Sequence, residues 1–297
     1  MTYHSPSFKQ RRSPIEELNS PLPIGRTVFT YAMNFVAFAF TGLALLPLVA
    51  ILFSILQQGL PQLKLETLTS LPAPVGVEGP NGFGNAILGT LIMIGIASGI
   101  SIPFGMMTGI YLSEFGKDSK TASAIRFITT VLTGIPSVII GVFAYAVVVV
   151  TKGGFSALAG GFALSILMLP VVALTAEEAL KLVPTPQRLA SAALGANRFQ
   201  TTFKIAVSAA LPGVTTGILL AVARAAGETA PLVFTALFSD NWPDGLLNPT
   251  SSLSVLIYNY ANSPFPEQNA LAWTASVVLV SLILALSVLS RMVTRRR

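Results

Sequence analysis

Two charged residues, Arg224 and Glu228, lie inside an apolar run over about residues 212–237 that is long enough to cross a bilayer. A charged side chain at bilayer depth costs roughly 2.5 to 3.5 kcal/mol on insertion scales, so it usually faces a partner, a cavity or an ion path. In a continuous helix the two charges would be separated by about 6 Å along the axis and would share one face. The pattern predicts a transport route, or alternatively a pair that locks this segment to neighbouring helices.

Residues suited to enzymatic catalysis are scarce in this chain. It has no cysteine, which excludes disulfides, thiolate metal sites and thiol nucleophiles, and its single histidine, His4, lies in a polar N-terminal segment. No G-x-G-x-x-G or G-x-x-x-x-G-K-[ST] pattern is present, so the sequence offers no phosphate-cradling loop for ATP. We therefore expect no catalytic residue, metal site or cofactor here, and any ATP hydrolysis must come from another polypeptide.

The composition indicates a membrane protein. Of the 297 residues 53% are hydrophobic and only 10% are charged, whereas about a quarter of a soluble domain is charged. Six apolar runs are each long enough to cross about 30 Å of hydrocarbon: 28–56, 85–112, 127–150, 155–174, 212–237 and 271–293. The sequence predicts an all-α integral membrane protein with six transmembrane helices over 28–293, an N-terminal arm at 1–27 and a basic tail at 294–297.

The placement of Lys and Arg predicts the orientation in the membrane. With six spans both termini lie on one side, and that side would carry almost every basic residue outside the spans. The opposite side would carry only Lys64 and Lys152. We therefore expect both termini in the cytoplasm, and we assign the net charge of +6 to topology and anionic lipid rather than to nucleic-acid binding.

Proline and glycine recur inside four of the predicted spans. They include Pro103, Pro136, Pro170, Gly227 and Pro231. A broken helix survives at membrane depth only where protein or water satisfies the freed backbone groups. Each site alone is compatible with ordinary kinking, but together the sites favour a cavity between the spans.

The longest predicted cytoplasmic connection runs over about residues 176–208. Its Ala-rich stretch after Pro186 favours a helix, which Gly195 could end or turn. Such a helix would lie on the membrane surface or dock into a soluble partner. Residues 251–261, outside the predicted spans, could form another short helix at the membrane interface.

This connection resembles the coupling loop in permease subunits of ATP-binding-cassette (ABC) importers. Members of that family carry E-A-A, three residues and Gly, followed further on by an apolar-Pro pair, and two short helices of the loop dock into the ATPase subunit. The residues that fit this pattern are Ala190, Ser191, Gly195 and Ile205. The sequence departs from it at Leu189, where Glu is usual, and at 207–208, where Val-Ser stands in place of Leu-Pro.

A closer resemblance is to the permease subunits of the phosphate-specific importer, which share an A-R-A-x-G-E-T block. Residues 223–229 read Ala-Arg-Ala-Ala-Gly-Glu-Thr, and they continue as Ala-Pro-Leu at 230–232, as in the A-type subunit. Looser similarity is found at 109–116, 134–141, 177–180 and 256–260. The resemblance covers about residues 28–293.

The resemblance implies the type I ABC importer permease fold in the plasma (inner) membrane. It implies inorganic phosphate as the cargo. The implied partners are a second, C-type permease subunit, an ABC ATPase dimer that uses ATP and Mg, and an extracytoplasmic phosphate-binding protein.

The resemblance also implies roles for particular residues. On the substrate path, Arg224 keeps its proton and its planar guanidinium suits phosphate oxygens. Glu228 would pair with Arg224 while the site is empty and would limit how tightly phosphate is held. Thr229 and Ser137 are further candidate hydroxyl donors, although packing or backbone hydrogen bonding explains both more simply.

The residues implied in ATPase coupling are Ala190, Ser191, Gly195 and Phe199. Gly195 would allow a sharp turn between two docking helices, and Phe199 would be the apolar anchor in the ATPase cleft.

Other classes of function remain open at this point. A sulfate or molybdate permease would share the same architecture. A secondary transporter also places charges in the membrane, but ordinarily needs neither a docking loop nor ATP. A membrane enzyme would need a cluster of bases or metal ligands.

Overall fold

A computed structural model describes residues 24–77, 79–117 and 119–295 of the chain. Most of the predicted N-terminal arm (1–27) and the end of the predicted basic tail (294–297) lie outside these ranges. Every regular element within them is helical, which confirms the predicted all-α class.

Eleven α-helical elements are found in the described ranges, in addition to a short 3-10 helix at Leu60–Gln62. In chain order they are α1 (Ile24–Gly59), α2 (Leu65–Thr69), α3 (Gly84–Phe115), α4 (Lys120–Gly134), α5 (Ser137–Lys152), α6 (Ala157–Lys181), α7 (Thr185–Ala193), α8 (Arg198–Ala226), α9 (Ala230–Thr235), α10 (Leu253–Ala261) and α11 (Pro266–Arg295). Three of them contain a π-helical stretch, at Tyr111–Phe115, Tyr145–Val149 and Thr201–Ala206.

Five of these helices, α1, α3, α6, α8 and α11, are long and apolar enough to cross a membrane. A sixth span is present if α4 and α5 are counted together, although the two are bent by 104° at the break between them. Five of the six predicted spans are therefore found as single long helices, and the predicted third span corresponds to the bent pair α4 and α5.

The break in the third span follows from Pro136. Proline has no backbone N–H, and it disfavours the helical conformation of the residue before it. Ile135 is accordingly extended, with φ −72° and ψ 129°. By contrast, Pro103 and Pro170 lie inside α3 and α6 without ending them, so these two positions are not breaks.

The fifth span differs from the prediction of one helix over 212–237. It begins earlier, at Arg198, and α8 ends at Ala226, before the separate short helix α9. Pro231 contributes to the interruption, because it has no N–H to donate to Gly227 as a continuous helix would require. The predicted helix near 251–261 is present as α10.

The described residues divide into two compact units, 24–54 and 55–295. The first is most of α1, whose apolar side chains are exposed; they include Phe29, Phe38 and Phe53.

The core of the second unit lies between α3 and α6. Met93 of α3 packs with Leu164, Met168 and Val172 of α6. The helices approach closely at Gly105, where a Cβ atom would lie 2.8 Å from the Cβ atom of Val172. A larger residue at Gly105 would therefore push the two helices apart.

Two further apolar clusters lie at the two ends of α3. Phe83, before its first turn, packs with Leu253 of α10 and Leu271 of α11. Near its last turns, Ile110 packs with Leu180 of α6 and Val214 of α8. These contacts fix the positions of the helices that carry the polar residues described below.

Candidate functional site

Arg224 and Glu228 lie on either side of the end of α8. Arg224 is in the last turn, whereas Glu228 follows the helix and donates its backbone N–H to the carbonyl of Ala225 at 3.2 Å. The expectation that both charges share the face of one continuous helix is therefore wrong. The reason is that the helix stops at Gly227, so a turn rather than a helical repeat sets the distance between the charges.

The two charges are close but loosely paired. Nε of Arg224 lies 3.9 Å from Oε1 of Glu228, and 60% of the arginine side chain is exposed, against 18% for the glutamate. This distance exceeds the 2.7 to 3.2 Å or so of a good hydrogen bond. Within the described residues Glu228 is the only partner of the Arg224 guanidinium. Most of its donors are thus accessible to a further ligand or partner.

The turn that carries Glu228 is fixed by α10. The buried hydroxyl of Ser254, in the first turn of α10, donates to the backbone carbonyl of Glu228 at 2.8 Å. The start of α10 is itself capped, since the Ser252 hydroxyl accepts from the N–H of Val255 at 3.2 Å. Sequence analysis did not single out Ser254. The available signal was the serine-rich start of the helix predicted over 251–261.

The two predicted hydroxyl donors, Ser137 and Thr229, are half-buried residues at the starts of α5 and α9. These helices contact each other through Gly141 of α5 and Pro231 of α9. A Cβ atom at Gly141 would lie 2.7 Å from the Cα atom of Pro231. Helices α5 and α9 thus pack together close to the breaks that precede them.

The predicted coupling loop contains α7 and the first turns of α8. Gly195 has φ +84°, a left-handed conformation that L side chains rarely adopt. A Cβ atom there would have no neighbour within 4 Å. Glycine is therefore required by the backbone conformation and not by a lack of space for a side chain. Asn197 then caps α8 by accepting from the N–H of Gln200 at 2.8 Å. The sharp turn expected at Gly195 is therefore present.

The second docking helix expected after Gly195 is not a separate element. Helix α8 runs without interruption from Arg198 to Ala226. The residues after the turn are well capped, and Pro212 does not break the helix. The loop consequently contains one short helix, α7, and the exposed beginning of a long one.

Apolar side chains are exposed around this turn. Leu189, Leu194 and Phe199 are 65%, 89% and 63% exposed, and the Phe199 ring packs 4.4 Å from that of Phe203. A groove of about 550 Å³ lies beside them. Its walls include Ala190, Ser191, Gly195 and Lys204.

The Ser191 side chain is buried under this groove. Its hydroxyl lies 3.0 Å from that of Thr201, which joins α7 to α8. Ala190, by contrast, is exposed.

Two groups of ion pairs lie near the coupling loop. Glu177 of α6 pairs with Arg126 of α4 at 2.7 Å and with Lys181 at 2.6 Å. Glu114, at the end of α3, pairs with Arg188 of α7 at 2.7 Å. Sequence analysis counted the three basic residues only as markers of orientation. The signal that was missed is that Glu114 and Glu177 lie at the ends of apolar runs, on the side of the membrane predicted to carry most of the basic residues.

On the other side of the α3–α6 core, the connection after α9 is held by polar contacts. Asn85, at the start of α3, donates to the carbonyl of Ser239 at 2.8 Å. The Tyr260 hydroxyl donates to the Asp240 carboxylate. Burial and the neighbouring Asp240 charge raise the pKa of Tyr260 to about 12. Burial also raises the pKa of Asp240, although the hydrogen bond from Tyr260 opposes this.

The helical arrangement matches that of a known importer permease. A chain of the MetNI methionine ABC transporter, solved in inward-facing conformations, superposes with a TM-score of 0.57, covering 72% of this chain and 93% of that chain at 20% identity. At this identity the match concerns the fold alone, and it confirms the expected ABC importer permease fold.

The family model described as "Binding-protein-dependent transport system inner membrane component" matches residues 101–297. The match includes the predicted coupling loop, the end of α8 and the two predicted hydroxyl donors, Ser137 and Thr229. The chain belongs to this family of transport permeases, and it is a multi-pass membrane protein.

Relatives within the family are more specific. The phosphate transport system permease protein PstA of Haemophilus influenzae is 40% identical over 82% of this chain and 85% of its own length. PstA of Yersinia pestis is 40% identical over 84% of each chain. A probable PstA of Methanocaldococcus jannaschii is 38% identical over 86% of this chain and 89% of its own length.

Proposed function

We propose that this chain is the A-type permease subunit of an ATP-driven importer and forms half of the path for inorganic phosphate. The observation that carries the proposal is near-full-length similarity to PstA proteins, in a chain whose Arg224 guanidinium is exposed in the last turn of the membrane-length helix α8. Sulfate or molybdate permeases and secondary transporters have no comparable support.

Arg224 supplies the fixed positive charge of the path. A guanidinium donates along two parallel bonds to an oxyanion and cannot lose its proton at working pH. Among the described residues the Arg224 guanidinium contacts only Glu228, at 3.9 Å. An anion can therefore bind to it without first breaking a strong hydrogen bond. The Glu228 carboxylate then competes with the anion for Arg224 and keeps phosphate from being held too tightly. Thr229 and Ser137 are candidate donors at the adjacent helix starts.

Helix α8 connects the coupling turn with this charge. It runs from Arg198, just after Gly195, to Arg224 in its last turn, a length of roughly 40 Å at 1.5 Å per residue. A partner that moves the turn at Gly195 therefore acts directly on the helix that carries Arg224. Ala190, Ser191, Gly195 and Phe199 form the docking surface for the ATPase in this proposal.

The remaining parts of the importer are separate chains. A C-type permease subunit completes the path, an ABC ATPase dimer uses ATP and Mg, and an extracytoplasmic phosphate-binding protein delivers the cargo. Both termini, with the arm at 1–27 and the tail at 294–297, lie in the cytoplasm of a cell whose plasma (inner) membrane holds the complex.

The test is uptake by the assembled complex in proteoliposomes, with the binding protein outside and ATP in the compartment of the ATPase. Labelled phosphate should enter only with ATP, and excess unlabelled phosphate should compete far better than sulfate or molybdate. Uptake without ATP would favour a secondary transporter. Equal competition by sulfate or molybdate would contradict the assignment of the cargo.

A further inference from the structure

Arg188 of α7 joins three elements through one guanidinium. Its Nη2 atom donates to Oε1 of Glu114 at 2.7 Å and to the carbonyl of Leu180 at 2.8 Å. Its Nη1 atom donates to the carbonyl of Val183. We call this group, formed by Arg188, Glu114 and the two carbonyls, the Arg188 junction. It connects α7 with the ends of α3 and α6.

The junction is largely shielded from solvent. The Arg188 and Glu114 side chains are 18% and 10% exposed, so their attraction is screened less than that of a surface pair. The two carbonyls lie where α6 ends, at which backbone acceptors lack the usual helical partners; the Leu180 carbonyl also accepts from the N–H of Val183 at 3.2 Å. One forked side chain therefore satisfies a carboxylate and a helix end at the same time.

A second arginine, Arg126, also forms hydrogen bonds with the ends of α3 and α6. Arg126 of α4 donates to Oε1 of Glu177 in α6 at 2.7 Å and to the carbonyl of Leu112 in α3 at 2.9 Å. Arg198, at the start of α8, donates to the Glu114 carbonyl and lies over the Phe115 ring. The last turn of α3 is thus bonded to α4, α7 and α8.

Helix α7 itself has few contacts with the rest of the chain. Of its residues, only Arg188 and Ser191 are not exposed. Ser191 contacts Thr201 of α8, whereas Arg188 contacts the ends of α3 and α6. A displacement of α7 can therefore reach α8 through Ser191 and the turn at Gly195. It reaches α6 through the short connection at 182–184 and through Arg188, and it reaches α3 through Arg188.

We propose that Arg188 and Glu114 are positioning residues that transmit the movement of α7 to α3 and α6, and thereby couple ATP hydrolysis to the opening of the transport path. This inference rests on the proposed function, because it requires α7 to be moved by an ATPase. The pair touches neither the cargo nor ATP. Loss of the Arg188–Glu114 pair should uncouple ATP hydrolysis from transport, while the sites that bind the cargo and ATP remain intact.

The test compares the number of phosphate ions imported per ATP hydrolysed by the assembled complex. The variants are Glu114→Gln, which keeps the shape and removes the charge, Arg188→Ala, and Arg188→Lys, which keeps the charge without the fork. Lys120→Ala is the control, because it removes an exposed positive charge at the start of α4. Co-purification of the ATPase is measured for each variant.

Glu114→Gln and Arg188→Ala should lower the ratio by about tenfold, a typical size for a coupling between distant sites. The ATPase should still co-purify, hydrolysis should persist, and the KM for phosphate uptake should not change. Arg188→Lys should be intermediate, and Lys120→Ala should match the unaltered complex. Combining Glu114→Gln with Arg188→Ala should lower the ratio no further than either change alone.

A ratio for Glu114→Gln within about twofold of the unaltered complex would overturn the inference, since this is below the usual range of such couplings. Loss of the ATPase from the Glu114→Gln complex would also overturn it, because the pair would then support docking only. If Arg188→Ala does not assemble, Glu114→Gln and Arg188→Lys decide the question. If the unaltered complex transports another oxyanion, the proposed cargo is wrong, and the same ratio is measured with that oxyanion.

Discussion

Ser254 donates its hydroxyl hydrogen to the backbone carbonyl of Glu228 at 2.8 Å, which bonds α10 to the turn between α8 and α9. Because this turn sets the distance between Arg224 and Glu228, a residue outside the predicted spans controls the geometry of the proposed path. The pair of charges is positioned by tertiary contact rather than by the helical repeat.

Ser254→Ala should therefore weaken transport without removing a charge. The lost hydrogen bond should cost about 1 kcal/mol, seen as a lower unfolding temperature and a reduced maximal rate of phosphate uptake. Thr215→Ala serves as the control, because among the described residues the Thr215 hydroxyl bonds only within its own helix, to the carbonyl of Leu211 at 2.8 Å. Equal uptake by the two variants would show that α10 does not position the turn.

Gly195→Ala should reduce association with the ATPase. The φ of +84° costs an L residue about 1 to 2 kcal/mol, so the turn between α7 and α8 should shift. Gly245→Ala is a matched control, since Gly245 has φ +83° and equally open surroundings but lies outside the coupling loop. We expect the ATPase to co-purify normally with Gly245→Ala, weakly with Gly195→Ala and not with Gly195→Arg. Full retention by Gly195→Arg would contradict the docking role of the turn.

Gly141→Val should push α5 and α9 apart. The introduced side chain would overlap Pro231, and overpacking of this kind typically costs about 1 to 3 kcal/mol. The expected result is a lower unfolding temperature of the purified complex, together with loss of uptake. Gly134→Ala should be tolerated, because nothing lies within 4 Å of a Cβ atom there. A Gly141→Val complex of unaltered stability would argue against the contact between α5 and α9.

Stability at high pH should depend on Tyr260. Its pKa is raised from 10.0 to about 12, so the folded state keeps the proton in a range where the unfolded chain has lost it. The contribution of this residue to stability is present below pH 10 and falls as the pH rises through about 12. Tyr260→Phe should cost about 1 kcal/mol at neutral pH and should flatten the alkaline decline in unfolding temperature. Tyr258→Phe, at an exposed position on the same helix, should leave that decline unchanged.

The spans could be predicted from the sequence because each depends on a local apolar run. The same holds for Gly195 and for α10, whose signals lie within a few residues. Local pattern did not distinguish Pro103 and Pro170, which stay inside helices, from Pro136 and Pro231, which accompany breaks. That outcome depends on whether packed neighbours stabilise a straight helix. Arg188 and Glu114 are 74 residues apart in the chain, so their pairing requires the fold.

The central claim is that Arg224 faces the route taken by phosphate, and the most direct measurement is the initial rate of ATP-driven phosphate uptake by assembled complexes. Glu228→Gln should lower both the KM and the maximal rate, because phosphate is then released more slowly. Arg224→Lys should retain part of the activity. Arg224→Ala should lower the rate by about 10- to 100-fold, equivalent to the loss of one charge-assisted hydrogen bond. Uptake by a fully assembled Arg224→Ala complex at the unaltered rate would contradict the account.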